Sequence, residues 1–96
     1  MLKIWRKDYL AEKIKYMNIE SYKNSSLEEL FVFIDIIKIK GHLVFIKIDG
    51  ERESDEITVV ISYPNDLERE PIRYDGKNLR EVLFKALHSY FLINEI

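Results

Sequence analysis

The sequence predicts an α+β fold: one small two-layer domain in which an antiparallel β-hairpin or three-stranded sheet packs on a C-terminal helix and one or two N-terminal helices. Three observations carry this. Leu79, Val82, Leu83, Ala86, Leu87, Tyr90 and Phe91 form one apolar stripe at helical spacing. Residues 43–48 and 57–63 alternate between two faces and are joined through Asp49-Gly50, as in a hairpin. With 96 residues, 47% of them hydrophobic, the chain can bury one core but not two.

The elements follow in order. Trp5, Tyr9, Leu10, Ile14 and Met17 recur at roughly helical spacing, which predicts an amphipathic helix over 2–17. Asn18, Ser21, Asn24, Ser25 and Ser26 predict a turn or loop over 18–26. Ser26-Leu-Glu-Glu29 fits a capping box, and Gly41 stands where a left-handed residue closes a helix. The content of 27–40 disagrees with its ends, because Val32, Ile34, Ile36, Ile37 and Ile39 are β-branched and 37–40 alternates like a strand. Since the start and stop signals agree with each other, 27–40 is read as a helix.

In the first strand Val44, Ile46 and Ile48 share one side; in the second, Ile57, Val59, Ile61 and Tyr63 do. Residues 49–56 make a long connection, Pro64-Asn-Asp66 ends the second strand, and Ile72 with Tyr74 suggests a short third one. Asp75-Gly-Lys-Asn78 reads as a turn, with Asn78 capping the last helix. A sheet of two or three strands is marginal alone, so the helix stripe and the inward strand residues need each other.

Composition narrows the function. Cysteine is absent, which removes disulfides and thiolate metal sites and fits a reducing compartment. The start has no uninterrupted apolar h-region, so it is not read as a signal peptide, and the run 30–37 is too short to span a membrane. These readings place the protein in the cytoplasm, away from membranes. The net charge of −2 divides unevenly. Residues 1–47 carry nine Lys/Arg against six Asp/Glu, whereas 48–96 carry six against eleven. The acidic second half argues against nucleic acid as the main partner.

No catalytic pattern stands out. His42 and His88 lack a second ligand at helical zinc spacing, and the three glycines are isolated at turns, so no phosphate loop exists. There is no G-x-S-x-G and no cysteine nucleophile. A non-enzymatic protein without metal or cofactor is expected. Both histidines are read as solvent-facing or cap-associated. Tyr90, Phe91 and Phe45 are read as core or core-edge residues, and Phe84, off the main stripe, as a candidate exposed contact or homodimer seam. Arg52, Arg69, Arg73 and Arg80 alternate with acids and are expected to form intramolecular ion pairs.

The most distinctive segment is Asp49-Gly-Glu-Arg-Glu-Ser-Asp-Glu56. It has the composition of a calcium loop, but not the order of ligands. One reading is a solvated hairpin loop whose charge discourages aggregation. The other is a contact surface in which Asp49, Glu51, Glu53, Asp55 and Glu56 steer a basic protein partner into place. Asp66, Glu68 and Glu70 lie in the next connection; they extend the same surface if both loops project from one end, and form a separate cluster if the sheet runs up and down.

The run Gly41-His-Leu-Val-Phe-Ile-Lys-Ile-Asp-Gly-Glu-Arg52, with Ile57-Thr-Val-Val-Ile-Ser62 and Asp75-Gly-Lys-Asn-Leu-Arg-Glu-Val-Leu-Phe84, resembles small bacterial immunity proteins, including partners of contact-dependent growth-inhibition toxins. The resemblance covers about the last 55 residues and carries no individual contact residue. It implies a cytoplasmic protein that binds one cognate toxin domain, such as a nuclease, and blocks or distorts its active site. The alternative from a different class is a small phage or mobile-element regulatory protein. It would act as a homodimer, with Lys3, Arg6, Lys7, Lys13 and Lys15 offering a basic helix face to nucleic acid.

Overall fold

Ser26 accepts a hydrogen bond from the Glu29 N–H at 3.1 Å, and the Glu29 carboxylate reaches back to the Ser26 N–H at 3.4 Å. This reciprocal cap starts helix α1 (Leu27–Ile39). At its other end the Gly41 N–H donates to Lys38 O and the His42 N–H to Ile37 O, with Gly41 at φ +83°. That is a Schellman closure, and it requires the left-handed backbone that glycine adopts without penalty. The end signals therefore decided the element, and the β-branched interior followed. Leu30, Phe33, Ile36 and Ile37 are buried at helical spacing, which outweighs their modest helix propensity.

The computed structural model describes Ile14 and residues 24–94. The helix expected over 2–17 and most of the loop after it lie outside the described residues, except that Ile14 is helical and fully buried.

After α1 come β1 (Leu43–Ile48), β2 (Ile57–Ser62), β3 (Ile72–Gly76) and helix α2 (Leu79–Ile93). The strands form an antiparallel sheet in the order β1-β2-β3, with Val44 opposite Ile61 and Ile61 opposite Ile72. The compact α+β arrangement holds, with α2 packed on β2 and β3. Helix α1 packs on α2 and on β1. The third strand is longer than expected at its end: Asp75 and Gly76 belong to β3, so only Lys77 and Asn78 connect it to α2. Asn78 caps α2 by accepting from the Glu81 N–H at 3.1 Å. Among the described residues no helix is long and apolar enough to cross a membrane.

The core lies between the helices and one face of the sheet. Ile57, Val59, Ile61, Tyr63 and Ile72 meet Val82, Leu83, Ala86, Leu87, Tyr90 and Phe91 of α2 there. Phe33 of α1 meets Phe91 edge-on at 5.8 Å, joining the two helices. Each fully buried Val, Leu, Ile or Phe among them contributes about 1.5–3 kcal/mol. Phe84 is a correction: far from being an exposed seam, it has no exposed surface. Helix α2 touches both the sheet and α1, so more of its circumference is buried than a single sheet contact needs.

The first strand is the second correction. Val44, Ile46 and Ile48 do face the helix side, but only Val44 packs against the core. Ile46 is 38% and Ile48 66% exposed, because α2 covers β2 and β3 rather than β1. On the opposite face Phe45, expected at the core edge, is 56% exposed.

Gly76 shows how closely α2 approaches the sheet. A Cβ there would lie 2.6 Å from Val82 Cγ2, and a valine on a helix has almost no rotamer freedom with which to yield. Gly50 has open space around it. Gly76→Ala should lower unfolding free energy by about 1–3 kcal/mol in urea titration. Gly50→Ala should stay within about 0.5 kcal/mol of the parent.

Candidate functional site

The acidic connection between β1 and β2 is a wound structure. The Asp49 N–H donates to Glu56 O at 2.8 Å, and the Arg52 N–H donates back to Asp49 O at 3.3 Å. Asp49 Oδ1 accepts from the Glu51 N–H at 3.0 Å, a side chain substituting for backbone in the turn. Asp55 takes a left-handed conformation, φ 53°, which aspartate tolerates better than most residues.

Arg52 fastens this turn to the sheet. Its guanidinium donates to Asp55 O at 2.6 Å, to Thr58 Oγ1 at 3.2 Å and to Asp75 Oδ1 at 3.3 Å. Thr58, opposite Asp75 across β2 and β3, donates to the same carboxylate oxygen. Arg73 adds a second guanidinium at 3.1 Å from Asp75 Oδ2. Hydrogen bonds from Arg73 and then Thr58 hold the Asp75 carboxyl well below the usual carboxylate range. The network lies on the sheet face away from the helices, and its cover explains why Thr58 is buried there.

The five carboxylates expected to act together therefore divide. Asp49 faces inward, 3.9 Å from Lys47 Nζ and 3.8 Å from Arg52 Nε, and holds the turn. Glu51, Glu53 and Asp55 are exposed, and among the described residues no side chain pairs with their carboxylates. Glu56 is half-buried. Asp66, Glu68 and Glu70 are exposed in the connection at the far end, separated from the first cluster by the length of β2.

A second cluster occupies that far end. His42 Nδ1 and the Tyr90 hydroxyl share a hydrogen bond of 2.7 Å, and the imidazole lies edge-on to Tyr63, ring centroids 4.7 Å apart. Arg69 lies 3.8 Å over the Tyr63 ring and donates to Asn94 Oδ1 at 2.7 Å, while Asn94 Nδ2 donates to the Tyr63 hydroxyl at 3.0 Å. Arg69 thus stacks on an aromatic ring instead of joining an ion pair. Burial, with the charges of Arg69 and Lys40, lowers the His42 pKa, and burial pushes the Tyr90 hydroxyl up to about 12. Burial therefore favours the neutral form of both groups. His42 is neither solvent-facing nor a simple cap. Nothing local foretold its partner, which lies 48 residues away. His88 stacks on Phe84 at 5.7 Å. Among the described residues no three His, Cys, Asp or Glu side chains gather as a metal site would require.

The chain matches no protein-family model, no curated protein and no solved structure.

Two acid-sensitive steps follow from these pKa shifts. The folded state resists protonating His42, whereas the unfolded chain takes that proton near pH 6.5. Stability is therefore full above that pH and falls as pH drops below it. Asp75 contributes stability above the ordinary carboxylate pKa of 3.8, lost as pH falls through and beyond that value. Urea midpoints measured from pH 8 to 3 should fall in both windows. His42→Phe should flatten the upper step alone, and Asp75→Asn the lower alone.

Proposed function

We propose that this chain is a non-enzymatic immunity or inhibitor protein that receives a basic toxin domain, a nuclease being one candidate class, on the outward carboxylates of residues 49–56. The observation that carries the reading is the division of labour within that connection. Asp49 and Arg52 fix the backbone, while the carboxylates of Glu51, Glu53 and Asp55 face water with no side-chain partner among the described residues. A charged surface fixed before binding loses less conformational entropy on association than a floppy one. Five carboxylates against one arginine leave the segment at −4, which attracts a Lys/Arg-lined cleft of the kind that binds phosphate. The resemblance to immunity proteins over about the last 55 residues points the same way, and the lack of cysteine suits the cytoplasm, where an immunity protein would meet its toxin.

The homodimeric regulatory reading has one observation in its favour, the edge of β1 that is unpaired among the described residues. Salt-dependent retention of DNA or RNA would support it over the first.

The test is protection. The chain is co-expressed with a toxin domain encoded beside its own gene, and survival is scored. The parent should protect, and Glu51→Lys with Glu53→Lys and Asp55→Lys should abolish protection and weaken binding by at least about 100-fold. The same reversal at Asp66, Glu68 and Glu70 should leave both intact. Full protection by the first triple variant would remove the acidic connection from the mechanism, and failure of the parent to protect would remove the immunity reading.

A further inference from the structure

We propose that β1 pairs antiparallel with β1 of a second copy, joining two three-stranded sheets into one continuous six-stranded sheet. The first support is the backbone. Asp49 is bonded to Glu56, directly opposite it, so alternation along the ladder makes Lys47/Thr58, Phe45/Val60 and Leu43/Ser62 the hydrogen-bonded pairs. The N–H and C=O groups of Val44, Ile46 and Ile48 then point away from β2, toward the free edge. Among the described residues nothing bonds to them.

The second support is self-complementarity. An antiparallel pair centred on Ile46 sets Ile46 opposite Ile46 of the second copy and Val44 opposite Ile48. These are the residues whose backbone groups point outward, so each pair exchanges two hydrogen bonds. The same register keeps both helix layers on one side of the joined sheet. There it gathers Ile46 and Ile48, 38% and 66% exposed in the single chain, into one apolar row. On the other face Phe45 lies opposite the aliphatic stem of Lys47 of the second copy.

Charge chooses the occupant. An antiparallel pair lays the start of one strand against the end of the other. Lys40, exposed and unpaired among the described residues, is thereby brought beside the 49–56 connection of the second copy, which bears the net −4. A parallel pair would set like against like. The strand carries no proline and no bulge, and its one lysine is drawn toward Asp49, so the usual devices against edge pairing are nearly absent. Six residues a side bury less than the roughly 800 Å² per partner of a stable interface, so the dimer should depend on concentration.

Because the chain has no cysteine, one introduced thiol reports the geometry directly. Ile46→Cys should oxidise to a disulfide dimer at least about tenfold faster than Leu67→Cys, a more exposed position in the 63–71 connection. Sedimentation of the parent up to about 0.5 mM should show a monomer–dimer equilibrium. Ile46→Pro, which removes only an edge-facing N–H, should abolish it while retaining a cooperative thermal melt. If that variant fails to fold, Ile46→Lys serves, since it sets two ammonium groups face to face. Equal cross-linking at positions 46 and 67, or a parent that stays monomeric across the range, would overturn the proposal. Protection by the parent is read separately from its self-association, so this proposal and the immunity reading can fail independently.

Discussion

Among the described residues, α1 and α2 cover the three strands unevenly, and the rest of the described structure depends on how that imbalance is resolved. The apolar stripe of α2 spans β2 and β3, where Val59, Ile61 and Ile72 are sealed, and Gly76 lets the helix come close enough to set Val82 against the sheet. Helix α1 meets β1 near Val44, and beyond it Ile46 and Ile48 stay open. An apolar edge with no strand bonded to it among the described residues is a surface to which another β-strand can add.

The opposite face of the sheet is managed by charge. Arg52 reaches from the connection to Thr58 and Asp75, tying β2 and β3 to a turn that would otherwise hang from β1 and β2 alone. Exposed ion pairs are individually weak. This set is different in kind, because one guanidinium satisfies a backbone carbonyl, a hydroxyl and a carboxylate together, which positions more than it stabilises. The outcome is an anchored loop in which the Glu51, Glu53 and Asp55 carboxylates have no side-chain partner among the described residues.

The sequence made legible whatever is decided locally. Ser26, Glu29 and Gly41 marked both ends of α1 against the testimony of its isoleucines, because caps act within four residues of themselves. The alternation in 57–63 and the stripe in 79–91 named the core face of β2 and α2 correctly. Alternation, however, says which side a residue takes, not whether anything lies over it, so Ile46 and Ile48 could not be told from Val59 and Ile61. Phe84 was misplaced for the converse reason: helical spacing shows one apolar face, whereas α2 is enclosed on more than one side. Five acids in eight residues gave no hint that Asp49 would turn inward, since that depends on Arg52 and Lys47 folding around it. The link between His42 and Tyr90 is purely tertiary.

Amide hydrogen exchange at micromolar concentration, where single chains predominate, tests most directly whether β1 is a bonded strand with a bare outer edge. The Val44, Ile46 and Ile48 amides should exchange nearly as fast as in unfolded peptide. Their neighbours Phe45 and Lys47 should be protected through β2, and Val59 and Ile61 should open only with the whole domain. Uniform protection along all six residues of β1 would mean that its edge is already occupied within one chain, and the account of an unfinished sheet would be wrong.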